Sequence, residues 1–219
     1  MSTIDKNKSQ IKAESILEAA VDLFVRRGFK DVSMDSIAKQ AGVSKQTVYS
    51  HFGTKNDLFT AAITAKCDVY HINERIFQQA ASCRDILIDF CLHFHDMVTS
   101  EAAISIHRTC AAQTLNHREI GELFYQAGPL RVITLLSDYL AQKNLQGELA
   151  IDDTEDASLQ LILMAQSHKK IQRELGITVS DKDYRVYLTG CVDMFLNFYG
   201  TKDLHNRTGT THTLSSSPV

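Results

Sequence analysis

Residues 34–59 read MDSIAKQAGVSKQTVYSHFGTKNDLF, and this stretch decides the fold. Ser33 stands just before it, where a hydroxyl can accept an early amide hydrogen bond. Ile37 and Ala38 supply the buried side of a short helix that runs to Gln40. Ala41, Gly42 and Val43 then turn the chain, with Gly42 permitting a tight crossing. Ser44 caps a second short helix, Lys45 to Ser50, which Val43 and Val48 can anchor from beneath before His51, Phe52 and Gly53 close it. Thr54 with Asp57 forms a capping-box-like pair, with Asp in place of the usual Glu or Gln. It opens a longer helix through Leu58, Phe59 and Ile63 towards Gln79.

Two short helices joined this way match a helix-turn-helix. The accessible positions of the second helix are Ser44, Lys45, Gln46, Thr47 and Tyr49; none is acidic, and a helix N-terminus favours phosphate. Such a helix fits the major groove. Gln46 can present its amide to a base edge, and Thr47 can read a base or a phosphate. Lys45, Tyr49, His51 and Lys55 suit backbone contacts, which position a protein without reading sequence. Spacing and charge alone leave a second reading open, in which Lys45 and Lys55 form a solvated face and the two helices are a bundle corner.

Outward from this head the pattern stays helical. Upstream, Ser9 caps a helix to Arg27 whose apolar stripe is Ile16, Leu17, Ala20, Leu23 and Phe24, ended by Gly28. Downstream, Ser82 with Asp85 starts a helix through Phe90, Phe94 and Met97. A break at Thr99 and Ser100 precedes another from Glu101 towards Leu115. Asn116 caps a short helix that Gly128 ends, Pro129 takes the first position of the next, and Gly147 ends that one. Asp152, Asp153, Glu155 and Asp156 open a helix over 154–173 that closes on Lys169, Lys170 and Arg173, which suits the helix dipole at both ends. Ser180 caps the last helix, 181–199, whose apolar residues cover more than one stripe and need a second surface, expected from a partner chain. Residues 201–219 are rich in Ser, Thr and Gly and read as a disordered tail. The expected architecture is therefore all-α: an N-terminal three-helix domain over 1–60, a helical effector-binding and dimerisation domain over 61–200, and the tail.

The net charge of −3 across 219 residues excludes a charge-driven nucleic-acid wrapper, and a 44% apolar content excludes a disordered chain. The charge is unevenly placed. Residues 1–60 carry nine basic and seven acidic groups, whereas 61–219 carry fourteen and nineteen, as expected if only the head meets a polyanion. The longest apolar run noted, Leu161 to Ala165, is far short of the roughly 20 residues a membrane crossing needs. The polar, charged start lacks the pattern of a secretory signal, so a cytoplasmic location without membrane contact is expected. Five cysteines without a CxxC suit reduced thiols.

The 34–59 string closely resembles the DNA-binding head of the TetR family of transcriptional repressors, and the preceding helix, with Ala19, Ala20, Phe24, Gly28 and Phe29, resembles the family's first helix. Ser33 stands where the family often has Thr, and Ser50 where it often has Tyr. Carried over by position, the resemblance implies a DNA-facing set of Ser33, Ser44, Lys45, Gln46, Thr47, Tyr49, His51 and Lys55. It also implies a homodimer, joined through a four-helix bundle of the last two helices, that binds palindromic double-stranded operator DNA and leaves it when a small-molecule effector enters the body. The order from His107-Arg-Thr-Cys110 through Leu123-Phe-Tyr-Gln-Ala-Gly-Pro129 to Ile151-Asp-Asp153 is similar to bodies of the AefR group.

An effector cavity between helices needs apolar walls with a few polar groups. Phe94, Met97, His107, Arg108, Cys110, Phe124, Tyr125, Met164 and His168 are the candidates, and their aromatic and sulfur side chains point to an apolar or aromatic effector. Arg108 has Glu101 and Glu119 as alternative partners. Cys67 with His71, and Cys91 with His95, each stand four apart on one predicted helix face, but zinc prefers four ligands in closer clusters, so no metal or other cofactor is expected. The chain has no G-x-S-x-G, no phosphate-cradling Gly-rich loop and no H-E-x-x-H, and it reads as a regulator rather than an enzyme. The other reading is an all-helical scaffold that binds protein and no DNA.

Overall fold

The computed structural model describes residues 3–179 and 183–201. Local caps build the head. Helix α1 spans Thr3–Arg27, α2 Met34–Ala41, α3 Lys45–Phe52 and α4 Lys55–Val69. Ser33 and Ser36 cap α2 reciprocally, each side chain accepting the other's amide, and Thr54 and Asp57 do the same for α4. Gly42 ends α2 at φ 67°. The Val43 amide reaches back to the Ala38 carbonyl and the Gly42 amide to that of Lys39, which satisfies the last carbonyls of the helix in a Schellman pattern. Ser44 caps α3 through the Thr47 amide, and Val48 is the buried anchor of that helix. Phe24, Phe29 and Phe59 form the aromatic centre of the head, with Phe59 meeting the other two edge-on at 5.1 and 5.2 Å.

The body continues with a 3₁₀ turn, Glu74–Gln78, then α5 Cys83–Val98, α6 Glu101–Gln113 and α7 Arg118–Tyr125. A π turn, Gln126–Leu130, leads into α8 Arg131–Leu145, followed by α9 Thr154–Glu174 and α10 Arg185–Tyr199. Helix α9 packs on α5, α8 and α10, and its Leu161 shares a core with Leu87, Phe90, Leu136, Leu140 and Leu188. A separate apolar cluster joins the head to Ile106, Cys110, Ile120 and Ala127, so the head core extends past residue 60 into α6, α7 and the π turn. The one β-bridge among the described residues ties Leu149 to Gly200.

Several expectations are corrected. Helix α1 begins at Thr3 and not at Ser9, because no Gly or Pro upstream stops it. Helix α4 ends at Val69, since His71 turns into the left-handed region at φ 58° and Asn73 caps the 3₁₀ turn. His117, not Asn116, precedes α7, and its side chain makes no cap. Gly128 does not end that helix, nor does Pro129 begin a new one. Both lie in the π turn, whose widened spacing accommodates a residue with no amide hydrogen, so α7 runs on into α8. Ser167 breaks α9 at φ 57°, ψ 172°. Ser180 and residues 202–219, where a cap and a disordered tail are expected, lie outside the described residues.

Helix α6 seats against α1 at Gly28 (φ 76°), where a Cβ would fall 2.4 Å from Thr109 Cγ2 and 2.6 Å from Gln113 Nε2. At Gly42 a Cβ would meet nothing within 4 Å. Gly42→Ala should therefore lose only the cost of left-handed backbone, about 1–2 kcal/mol, and Gly28→Ala distinctly more. Urea unfolding of the two variants compares them, and equal losses would contradict the close α1–α6 contact.

Candidate DNA-reading head and effector cavity

The first turns of α2, α3 and α4 lie within side-chain reach of one another. Lys45, at the start of α3, pairs with Asp35 of α2 at 2.9 Å. Lys55, at the start of α4, donates to the carbonyls of Phe29 and Val32 at 2.8 and 2.9 Å, just before Ser33, with its ammonium 4.2 Å from the Phe29 ring centroid. Three helix N-termini gathered in this way concentrate partial positive charge. Burial, then Lys30, pushes the Lys55 pKa below its ordinary value, while hydrogen bonding to Asp35 raises that of Lys45. The hydroxyls of Ser44 and Thr47 are 2.8 Å apart. Gln46 is exposed, and its amide bonds no other described residue. Tyr49 is exposed below Lys45, and His51 is half-buried against Phe52. The carbonyl anchoring of Lys55 has no signal in the sequence, because its partners are backbone atoms more than twenty residues away.

Between head and body lies a cavity of about 320 Å³. Of the nine candidates, Phe94, Met97, His107, Phe124 and Tyr125 line it. The other four do not, for reasons of helix phase. On α6 the cavity takes Ala102, Ala103, Ile106 and His107, which leaves Arg108 exposed towards an outer cleft and Cys110 buried in the head-side cluster. Arg108 forms no ion pair with Glu101 or Glu119 among the described residues, and Glu119 instead meets His117 at 3.3 Å. On α9 the cavity takes Leu159, Ile162, Leu163, Gln166 and Lys170, a spacing of three and four that passes over Met164 and His168. Met164 packs against the body core, and His168 stands beside Tyr184. The wall also includes Val21, Phe24 and Val25 of α1 and Lys66 of α4, which sequence reasoning assigned to no cavity.

The polar edge is organised by Glu174. Its carboxylate accepts from His107 Nδ1 at 2.9 Å and also pairs with Lys170. Burial first, then Lys170, holds His107 below its ordinary pKa despite Glu174. The ring centroids of His107 and Phe124 lie 5.8 Å apart, with the rings tilted.

Residues 16–62 match the bacterial regulatory proteins of the tetR family, and residues 85–201, more than half of the chain, match the C-terminal domain of AefR-like transcriptional repressors. The chain belongs to the TetR family. It is a helix-turn-helix transcriptional regulator, with both the head and the body subgroup that the sequence resembles. The head is 43% identical over 53 residues to the transcriptional activator FasR of Mycolicibacterium smegmatis (24% of each chain). It is 39% identical over 51 residues to the transcriptional repressor SCO4008 of Streptomyces coelicolor (23% of this chain, 27% of that one). These matches span about a quarter of the curated relatives. Over most of its length the chain is similar to the solved structure of a TetR-family regulator from Mesorhizobium loti, at TM-score 0.70, 23% identity and coverage of 88% and 98%. It is likewise similar to the flavonoid-responsive regulator FrrA, at TM-score 0.67, 26% identity and coverage of 87% and 98%.

In this TetR-family chain the two Cys/His pairs take other roles. Cys67 is buried but His71 lies beyond the end of α4, so they do not share a helix face as expected. Cys91 and His95 do share α5; Cys91 is buried, and His95 Nε2 meets Ser167 Oγ at 3.2 Å. Among the described residues no three of His, Cys, Asp and Glu are placed to hold a metal ion. All five cysteines are buried, and burial pushes their thiols up, Cys110 to about 11, which disfavours the reactive thiolate. No described helix is long and apolar enough to cross a membrane.

His95 is buried between Ser167 and Tyr184. Burial and then Lys169 lower its pKa, against the opposing pull of Asp96. The pKa values of His95 and His107 are thus both lower in the fold than in the unfolded chain, where an imidazole titrates near 6.5. Below that value the unfolded state binds more protons, so stability is full above it and declines as the pH falls through it. Melting temperatures between pH 7.5 and 5.5 should fall less in His95→Gln than in wild type, and least in His95→Gln/His107→Gln. Identical pH slopes in all three proteins would exclude this linkage.

Proposed function

We propose that the chain is a repressor that binds palindromic operator DNA as a homodimer and releases it when a small apolar or aromatic effector fills the cavity. The observation that carries this reading is the double position of Phe24. Its ring belongs to the aromatic centre of the head, 5.1 Å from Phe59, and also lines the cavity. A ligand that moves Phe24 or the neighbouring α6 acts on the head without touching its DNA face. Two bonds between α6 and the end of α1 pass that motion on: Ser105 Oγ to the Val25 carbonyl at 3.1 Å, and the Lys30 amide to Gln113 Oε1 at 3.2 Å. The similarity of the body to AefR-like repressors supports repression, since heads alike to this one occur in the activator FasR and in the repressor SCO4008. FrrA responds, by its name, to flavonoids, and the ring-lined wall here suits a planar aromatic guest.

The homodimer is supported by the outer faces of α9 and α10. Ile171, Val186, Met194 and Phe198 lie there without cover, Val186 at 83% and Phe198 at 78% exposure. Large apolar side chains clustered like this mark an interaction surface. A two-fold axis through that face gives two α3 helices, whose separation must match one turn of duplex, about 34 to 36 Å, or a multiple of it.

Selection of bound duplexes from a genomic library by the purified chain should return a palindrome with such half-site spacing. Recovery of no common sequence at low and moderate salt, by protein shown to be folded, would refute the operator reading. In the DNA-facing set, Gln46→Ala should alter base preference by about 1–3 kcal/mol at one position. Lys55→Ala should weaken all duplexes nearly alike, lower the salt slope by about one and also destabilise the head, because the same ammonium holds two carbonyls. An unchanged preference profile for the first, or an unchanged slope for the second, removes that residue from its role.

A further inference from the structure

The charged groups on the cavity are of one sign. Lys66 of α4 and Lys170 of α9 both line it, no Asp or Glu among the described residues does, and His107 lines it beside them. Glu174, just outside, serves Lys170 and His107 together, so one carboxylate is divided between two partners. Lys66 has less: its ammonium lies 5.5 Å from the Tyr70 ring centroid, and among the described residues no carboxylate comes within ion-pair distance. Both lysines are half-buried at the edge of an otherwise apolar space. A cation facing a poorly hydrated cavity is unfavourable until an anion meets it, and the same low polarity then strengthens the attraction. An apolar body alone would desolvate both ammonium groups further and leave that of Lys66 with no carboxylate among the described residues.

We infer that the effector is an amphipathic acid, an apolar or aromatic body ending in one ionised carboxylate that is met by the lysines at the cavity edge. This rests on the effector reading of the same cavity and narrows it to a chemical class. The body fills the space beside Phe24, Phe94 and Phe124, and the carboxylate takes hydrogen bonds from Lys66 or Lys170. With Lys170 drawn towards the ligand, Glu174 keeps His107 as its partner, so this half-buried carboxylate is not left bare.

The test uses the full chain and N-phenyl-1-naphthylamine, a neutral dye whose emission rises in apolar surroundings, as reporter of the cavity. Ile106→Trp, which fills the cavity from α6, should abolish the signal. Two competitors of nearly the same shape, 2-naphthoate and 2-naphthamide, then differ in charge. Naphthoate should displace the dye at about tenfold lower concentration, the scale of one charge-assisted hydrogen bond. Lys66→Met, Lys170→Met or the double variant should bring the two competitors together while thermal melting shows the fold intact. Equal displacement by both competitors from wild type overturns the acid inference alone and needs no variant to fold. Preference for naphthoate surviving in the double variant also overturns it. Absence of dye binding to wild type, or binding unchanged by Ile106→Trp, overturns the cavity reading and this inference together.

Discussion

The contact of α1 with α6 is the constraint on which the rest of the molecule depends. Gly28 lets Thr109 and Gln113 approach to distances that no side chain at that position would allow, and the closeness places the end of α1 beside the body. As a consequence Phe24 serves two neighbourhoods with a single ring. A head carried on a loose linker could bind DNA, but a change in the body would not reach it. Here the apolar cluster that holds the head together includes Ile106, Cys110, Ile120 and Ala127, so the head has no core that closes without α6 and α7.

The free head is prepared for an anion without being strained by its absence. Lys45 rests on Asp35 in a solvent-exposed pair, which water screens, so exchanging that carboxylate for a phosphate is inexpensive. Lys55 differs, because its carbonyl partners belong to the chain that leads from α1 into α2, so it ties the start of α4 to the start of α2. With Ser33, Ser44 and Thr54 capping their own helices, the three N-termini keep their geometry while their first-turn charges are redistributed.

The parts of the structure legible in sequence are those set by neighbours along the chain. Ser33, Ser44, Thr54 with Asp57, and Ser82 cap the helices they were read to cap, because a cap is a hydrogen bond to an amide two or three residues on. Gly28 and Gly42 end their helices for an equally local reason. The turns at His71 and Ser167 were not legible, since neither residue type announces positive φ. The π turn escapes a reading of sequence because a Gly-Pro pair ordinarily separates helices. For the cavity, residue type selected Phe94, Met97, His107, Phe124 and Tyr125 but could not distinguish them from Cys110 or Met164. That distinction is the phase of a helix relative to a space that exists only once α1, α4, α6 and α9 are assembled. Lys66 and Lys170 were passed over for the same reason, as half-buried lysines have no sequence signature.

The break at Ser167 divides α9 into two working halves. Before it, Leu159, Ile162, Leu163 and Gln166 face the cavity; after it, Lys170 and Glu174 hold the polar edge, and Ile171 and Leu175 face outward on the same turns. Serine at φ 57°, ψ 172° occupies a region populated almost wholly by glycine, so the surroundings must hold it there, and the buried His95 does so through its 3.2 Å contact with the Ser167 hydroxyl. A continuous helix would fix the polar edge rigidly to the apolar wall. The broken one separates the segment bearing Lys170 and Glu174 from the wall packed on α5 and α8. In the proposed dimer that segment carries Ile171 into the partner face, so a ligand bridging wall and edge would bear on the spacing of the two heads as well as on Phe24.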